Sequence, residues 1–330
     1  MKATAIAHSN IALTKYWGKR DAKLMLPQNG SVSMTVDGFH TRTTVEFSPD
    51  FEKDVFIINK EEVSEGKPYD KTVRFLDLMR ERAGISEKAK VSTENNFPTA
   101  AGLASSASGF AAIALAASKA AGLDLDRKEL SMLARRGSGS ASRSVEGGFV
   151  EWQRGEKEDG SDSYAIQIAP AEHWDFRMIA VITSTAQKKV KSTAGMAQTV
   201  ETCPYYRDWL STVQEDIDTV KQGIADKDFT RVGSTAEYNA LKMHATMMTT
   251  KPPIIYWNDA TMRLMHAIME WREAGLESYF TMDAGPQVKI MCMEKDVQAI
   301  TERLKSIPGI EDVVVLKPGQ AARLTDEHLF

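Results

Sequence analysis

Over residues 1–60 apolar and β-branched side chains come in short runs, many of them alternating with polar ones, which predicts strands joined by turns. Ser31–Val36 and Thr41–Phe47 follow this pattern, Asp54–Ile58 adds another run, and Pro27-Gln28-Asn29-Gly30 is a turn signal among them. The period then lengthens. In Lys71–Ala83 the residues Val73, Phe75, Leu76, Leu78 and Met79 cluster with charges opposite, which predicts an amphipathic helix. Val91–Thr93 reads as a strand. After Pro98 comes a run of small residues, Thr99–Phe110, that leads into alanine-rich helix from Ala111 to Gly122. Arg127–Arg136 is a second helix with Asp126 as its cap, and Gly147–Trp152 reads as a turn into a strand. Arg154–Asp162 is a polar surface loop, and Met178–Ser184 is a buried strand.

Beyond residue 185 the pattern changes to long amphipathic segments, Tyr206–Ala225, Phe229–Met248 and Asp259–Ala274, with Pro252-Pro253 breaking the helix between the last two. Tyr279–Met282 and Val288–Met293 read as strands around Asp283-Ala284-Gly285-Pro286. Val297–Ser306 is a helix and Glu311–Leu316 a last strand. Helices and strands interleave without a regular βαβ period, which predicts an α+β fold in two domains, residues 1–185 and 186–330.

Composition narrows the function classes. The chain has 330 residues, 42% hydrophobic and 26% charged, enough apolar material for a core. Its net charge of -4 gives no global field that would gather nucleic acid or an anionic membrane. Any anion site must be local. Cys203 and Cys292 fit no metal or redox spacing, so two reduced thiols of a cytoplasmic protein are expected. Lys15, Lys19 and Arg20 interrupt any signal-peptide pattern, and no run is apolar for the roughly 18 residues of a membrane span.

Four segments could carry chemistry. Thr99–Phe110 is a Gly/Ser/Ala turn opening a helix, where exposed N–H groups and the positive end of the helix dipole suit phosphate. A tight alanine-mediated helix–sheet contact explains the same composition equally well, and no Walker A lysine follows. Gly137–Arg143, with Ser138, Ser140, Ser142 and Arg143, suits a carboxylate or oxyanion, although composition by itself favours a capped, solvated loop. Lys15-Tyr16-Trp17-Gly18-Lys19-Arg20 suits phosphate, against the commoner reading of a basic surface face. Asp283 ends an apolar strand before Gly-Pro, a place for a functional acid or equally for a turn-forming aspartate. His244 reads as a packing residue, and the methionines of 243–262 as core.

Taken together these segments resemble the mevalonate diphosphate decarboxylases of the GHMP kinase superfamily. The shared stretches are Asn10-Ile11-Ala12 with Lys15–Asp21, Asn96–Ser106, Ala134–Ser140 with Arg143-Ser144, Gly147–Phe149, Met243–Thr246, Pro252-Pro253 and Asp283–Pro286, in family order. The resemblance implies a ribosomal-S5-like N-terminal domain, a ferredoxin-like C-terminal domain, a site in the cleft between them, and a homodimer. It implies that ATP with Mg²⁺ phosphorylates the C3 hydroxyl of a phosphorylated mevalonate, after which phosphate and carbon dioxide leave together.

It also implies roles. Asp283, Lys15 and Arg143 are the catalytic set: Asp283 meets the hydroxyl, Lys15 pairs with it, and Arg143 holds the substrate carboxylate. Asn10, Tyr16, Lys19, Ser138, Ser140, Ser192, Lys71 and Arg74 bind substrate. Pro98, Ala100, Ala101, Gly102, Leu103, Ala104, Ser105 and Ser106 cradle ATP, with Ser106 on the metal. Thr193 stands where some members have arginine; one cation fewer favours mevalonate 5-phosphate, while the family as a whole favours the 5-diphosphate. A kinase that stops after phosphorylation would share the nucleotide loop, and a non-catalytic metabolite sensor would have lost Asp283, Lys15 or the serines. No nucleic acid and no membrane are expected as partners.

Overall fold

The computed structural model describes residues 1–97, 105–186 and 188–330. Among these, strands fall into two main sheets. The larger runs in the order Arg323–Thr325, Lys2–Ala12, Ser31–Ser48, Lys88–Asn95, Val55–Ile58, Glu61–Glu62, while Phe149–Trp152 pairs with the start of Ser31–Ser48 and carries Ala165–Ala169 beside it. The second orders Tyr279–Thr281, Val288–Met293, Phe176–Ile182 and Asp312–Leu316, antiparallel throughout.

The two runs expected at Ser31–Val36 and Thr41–Phe47 form one strand of 18 residues. The residues between them do not turn. The partner strand shifts register between His8 and Asn10, so the irregularity is absorbed as a bulge rather than a loop. Ala3, Ala5 and Ala7 of the first strand are buried with Ala111, Ala114 and Ala117 of the helix Ser105–Ala120. Small side chains on both surfaces let the helix lie close to the sheet, and close packing follows.

In Phe176–Ile182 the alternation serves two cores at once. Phe176, Met178, Ala180 and Ile182 pack with the helices Tyr206–Asp226 and Phe229–Met248 and with Val32 and Met34 of the first sheet. Ile179 and Val181 face Leu264, Ile268, Ile300 and Leu304 of the helices Asp259–Glu273 and Val297–Leu304. The first of these cores is shared by both sheets and holds the two halves together. Met243 and Met247 belong to it, as the core reading of the methionine-rich segment expects, whereas Met248 is half-buried and Met262 is exposed, which corrects that reading at those two positions.

Several elements were invisible to periodicity. The helix Ser192–Thr202 buries only Gly195, Met196 and Thr199, so no apolar stripe announces it. Gly139–Val145 is a buried 3₁₀ turn, which corrects the solvated-loop reading. The expected helix at Lys71 begins earlier, at Lys67, with a proline in its first turn. Asp126 caps Arg127–Gly137 as expected, in a capping box with Glu129. Among the described residues no helix is long and apolar enough to cross a membrane.

Candidate active site

Lys15 lies just past the first strand, in a bend where Leu13 and Thr14 both donate to the Val32 carbonyl. Its own backbone is pinned on both sides: the N–H donates to Asn239 Oδ1 at 2.8 Å, and the carbonyl accepts from Asn29 Nδ2 at 2.7 Å. Gly18 then turns the chain at φ +106, where a Cβ would lie 1.8 Å from the Tyr206 hydroxyl. The Lys15 side chain runs inward rather than over the surface, leaving the residue 1% exposed. This corrects the basic-face reading of the segment. Its Nζ donates to the Ala12 carbonyl at 2.7 Å and to Asp283 Oδ1 at 3.0 Å.

Asp283 sits in the turn between Tyr279–Thr281 and Val288–Met293. Its side chain keeps 27% exposure, so one edge is reachable from outside. Lys289, itself 1% exposed, reaches the other oxygen, Oδ2, at 3.4 Å. Burial by itself would raise this carboxyl, but the Lys15 and Lys289 ammoniums outweigh it and hold it well below the usual carboxylate range. Burial pushes Lys15 down to about 8 despite the attraction of Asp283. His244 is within 3.2 Å of the Asp283 carbonyl through Nε2. Burial and then Lys15 push it down to about 3, so the ring is neutral at physiological pH, and a carbonyl partner requires Nε2 to carry the proton. It packs, as expected, but it also sets the turn that presents Asp283.

Arg143 projects from the 3₁₀ turn into the same region and is 3% exposed. Nε and Nη2 donate to Asn10 Oδ1 at 3.1 and 3.0 Å, and Nη1 donates to Ser31 Oγ at 2.6 Å. Asn10 is held in turn by its Nδ2, which donates to the Ser140 carbonyl at 2.9 Å and to Ser144 Oγ at 2.7 Å. A guanidinium has five N–H donors. With these three bonds made to described residues, one N–H on each terminal nitrogen is left, the pair that grips a carboxylate end-on. Burial lowers Arg143 to about 10, which leaves it cationic.

Ser106 Oγ lies 3.3 Å from Ser138 Oγ, which lies 3.4 Å from Ser140 Oγ. The start of the helix Ser105–Ala120 and the 3₁₀ turn thus share a strip of hydroxyls. Pro98, Ala100, Ala101, Gly102, Leu103 and Ala104 lie outside the described residues; Ser105 is half-buried and Ser106 exposed at the helix start. Tyr16 is half-buried with its ring edge-on to Trp152 at 4.8 Å, and its hydroxyl is buried with no partner among the described residues. Burial raises its phenol, so it stays protonated.

Two further cation groups border this region. Lys188 donates from Nζ to Ser192 Oγ at 2.9 Å and to the Ala284 carbonyl at 2.6 Å, tying the start of the helix Ser192–Thr202 to the Asp283 turn. Burial lowers Lys188 to about 8. On the helix Lys67–Ala83, Lys71 is lowered to about 8 by burial and then by Lys19 and Arg74, so these three cations are close enough to repel. Arg74 is exposed and Lys71 lies over the Phe110 ring at 4.5 Å.

Sequence reasoning passed over Lys289 and Lys188. For Lys289 a signal existed: it is the lone charge in the apolar run Val288–Met293, and a charge in such a strand needs a buried partner. Lys188 lay in a lysine-rich stretch that composition cannot tell from a solvated face.

A half-buried carboxylate between ammoniums, beside an arginine with two donors to spare and a strip of serines at a helix start, defines a class: an α+β enzyme built to handle phosphate and carboxylate groups. Comparison with known proteins narrows it. The family model described as diphosphomevalonate decarboxylase-like N-terminal domain matches residues 7–165, and the mevalonate 5-diphosphate decarboxylase C-terminal domain matches residues 178–323. A diphosphomevalonate decarboxylase of Ganoderma lucidum is 38% identical over 94% of this chain and 83% of its own length. The crystal structure of mevalonate diphosphate decarboxylase from Staphylococcus aureus superposes with a TM-score of 0.93 at 42% identity, covering 98% of each chain. A solved complex of MDDEF with MVAPP, AMPPCP and magnesium gives a TM-score of 0.92 at 42% identity over 98% of this chain and 99% of that one. The chain belongs to the diphosphomevalonate decarboxylase family.

Proposed function

We propose that this chain catalyses the ATP-dependent decarboxylation of mevalonate 5-diphosphate to isopentenyl diphosphate, ADP, phosphate and carbon dioxide. The observation that carries the reading is the Asp283 carboxylate, held as an anion between Lys15 and Lys289 with an edge open to substrate.

Asp283 accepts the proton of the C3 hydroxyl as that oxygen attacks the γ-phosphorus and the bond from phosphorus to ADP breaks. Lys15 donates to the equatorial oxygens that gain charge as the phosphoryl group moves. The tertiary hydroxyl is thereby converted into a phosphate leaving group. The bond to the carboxyl carbon then breaks, its electron pair forms the alkene, and the C3–O bond breaks to release phosphate. The two remaining N–H groups of Arg143 hold the carboxylate until it departs as carbon dioxide, and Asn10 and Ser31 keep the guanidinium in plane. Tyr16, Ser138, Ser140 and Ser192 line the substrate. Lys19, Lys71 and Arg74 receive its 5-diphosphate, where three cations answer the charge that Thr193 does not.

On this reading Pro98, Ala100, Ala101, Gly102, Leu103, Ala104, Ser105 and Ser106 bind ATP. Among the described residues no three metal-binding His, Cys, Asp or Glu side chains converge. That suits magnesium, which binds through substrate phosphates, waters and few protein ligands; the Ser106 hydroxyl would hold it. Bound there, it would neutralise charge on the β- and γ-phosphate oxygens. The chain works as a homodimer in the cytoplasm on this reading, in keeping with two free, buried cysteines. Sedimentation of the purified protein tests the dimer: a single species at twice the chain mass is expected, and a monomer at micromolar concentration contradicts it.

The kinase and the 5-phosphate reading fall to one assay. Purified protein, ATP and Mg²⁺ with mevalonate 5-diphosphate should release ADP and carbon dioxide in equal amounts. ADP without carbon dioxide would leave a kinase, and equal release from mevalonate 5-phosphate alone would move the activity to that substrate.

A further inference from the structure

Lys289 is a costly residue for its position. It lies in the strand Val288–Met293 between Val288 and Ile290, both fully buried, and faces Thr281 across the ladder. A lysine there loses its hydration, and an apolar side chain of similar length would pack more cheaply unless the charge is used. Its ammonium reaches Asp283 Oδ2 at 3.4 Å while Lys15 takes Oδ1 at 3.0 Å. The two contacts come from different parts of the fold and fall on different oxygens, which sets both the position and the plane of the carboxylate.

We propose that Lys289 is a positioning residue for the reaction: with Lys15 it brackets Asp283, so that the carboxylate meets the substrate hydroxyl as an oriented anion while Lys15 keeps charge to spare for the phosphoryl group. This rests on the reading of Asp283 given above. The titratable groups that face Asp283 are Lys15 in the bend after the first strand, Lys289 on the neighbouring strand, Lys188 ahead of the helix Ser192–Thr202, Arg143 on the 3₁₀ turn, and neutral His244 on the helix Phe229–Met248. None is an acid. With Lys289 gone, Lys15 is the ion pair left to Asp283, with Lys188 and Arg143 acting on it only through their charge, and the carboxylate can rotate about that contact.

The sign of the pH effect follows. Lys289 favours the charged form of Asp283, so its loss raises that pKa, and activity is lost at a higher pH on acidification. Removing one adjacent cation should move the acid limb of kcat/KM upward by about one pH unit. The variants are Lys289→Met, which keeps length without charge, and Lys289→Arg, which keeps the charge. Lys289→Met should lose roughly tenfold or more in kcat, with KM for both substrates within about threefold and the acid limb raised. Lys289→Arg should return the limb toward its original place. In parallel, the Asp283 side-chain carboxyl is titrated by ¹³C NMR in the wild-type protein, assigned with Asp283→Asn. A value well below the usual aspartate range is expected.

An unmoved acid limb in Lys289→Met overturns the proposal and leaves Lys289 with packing alone. So does an ordinary wild-type Asp283 titration, which decides the matter even if Lys289→Met does not fold. The NMR titration needs no substrate, so a failure of the decarboxylase reading would show as a different product while the bracketed carboxylate still titrates low.

Discussion

Lys15 and Arg143 do their work through donors left over after the fold has used the rest. Arg143 spends three N–H groups on Asn10 and Ser31, so a lysine in its place would offer a point charge where a planar fork is needed. Arg143→Lys should lower kcat/KM about a hundredfold, by roughly 2.7 kcal/mol of transition-state stabilisation, measured as carbon dioxide release; a loss under threefold would contradict the fork. Lys15, lowered to about 8 by burial, is cationic below that pH and loses its proton above it. Turnover should therefore fall as pH rises through about 8. Lys188 and Lys71 titrate in the same range, and Lys188→Met and Lys71→Met separate the three: a basic limb that persists in both variants belongs to Lys15, whereas a limb that vanishes in one of them belongs to the lysine replaced. Most of this set was legible in the sequence, because Asp283, Lys15, Arg143 and the serines lie in motifs that resemble one family. Lys289 was not read, because a lone charge inside an apolar strand says that a partner exists without saying which residue it is.

Elements were legible where burial is one-sided. Tyr206–Asp226, Phe229–Met248 and Asp259–Glu273 each bury a stripe, and periodicity locates them within about two residues. Ser192–Thr202 and the 3₁₀ turn Gly139–Val145 were not legible: the helix has little apolar surface and the turn is buried on all sides by neighbours remote in sequence. The pair Gly147-Gly148 was read only as a turn, and the structure supplies its reason. Gly148 has φ +70, and a Cβ there would lie 2.2 Å from the Ala169 carbonyl oxygen, backbone that has no rotamer to change. The turn feeds Phe149–Trp152 into the first sheet directly after Arg143. Gly148→Ala should cost on the order of 2–4 kcal/mol of stability, read from the denaturant midpoint, and a cost below about 0.5 kcal/mol would contradict the close approach.

At the scale of the whole molecule, the site exists because two sheets share one core. Lys15 leaves the first sheet and Asp283 leaves the second, and they meet at 3.0 Å. The chain end adds to this arrangement, since Arg323–Thr325 returns to pair with Thr4–Ile6 of the first strand. The strand Phe176–Ile182 was readable as buried from Met178 on, but not as the wall between two cores, because alternation in the apolar run Met178–Ile182 carries no label for which face meets what. The central claim is that these halves together phosphorylate and decarboxylate one substrate. Its most direct test is to give the purified wild-type protein and Asp283→Asn mevalonate 5-diphosphate, ATP and Mg²⁺ and follow ADP and carbon dioxide together. The account predicts equal release by the wild type and a loss of both by about a thousandfold or more in the variant; carbon dioxide release that survives in Asp283→Asn, or ADP formed without carbon dioxide by the wild type, would contradict it.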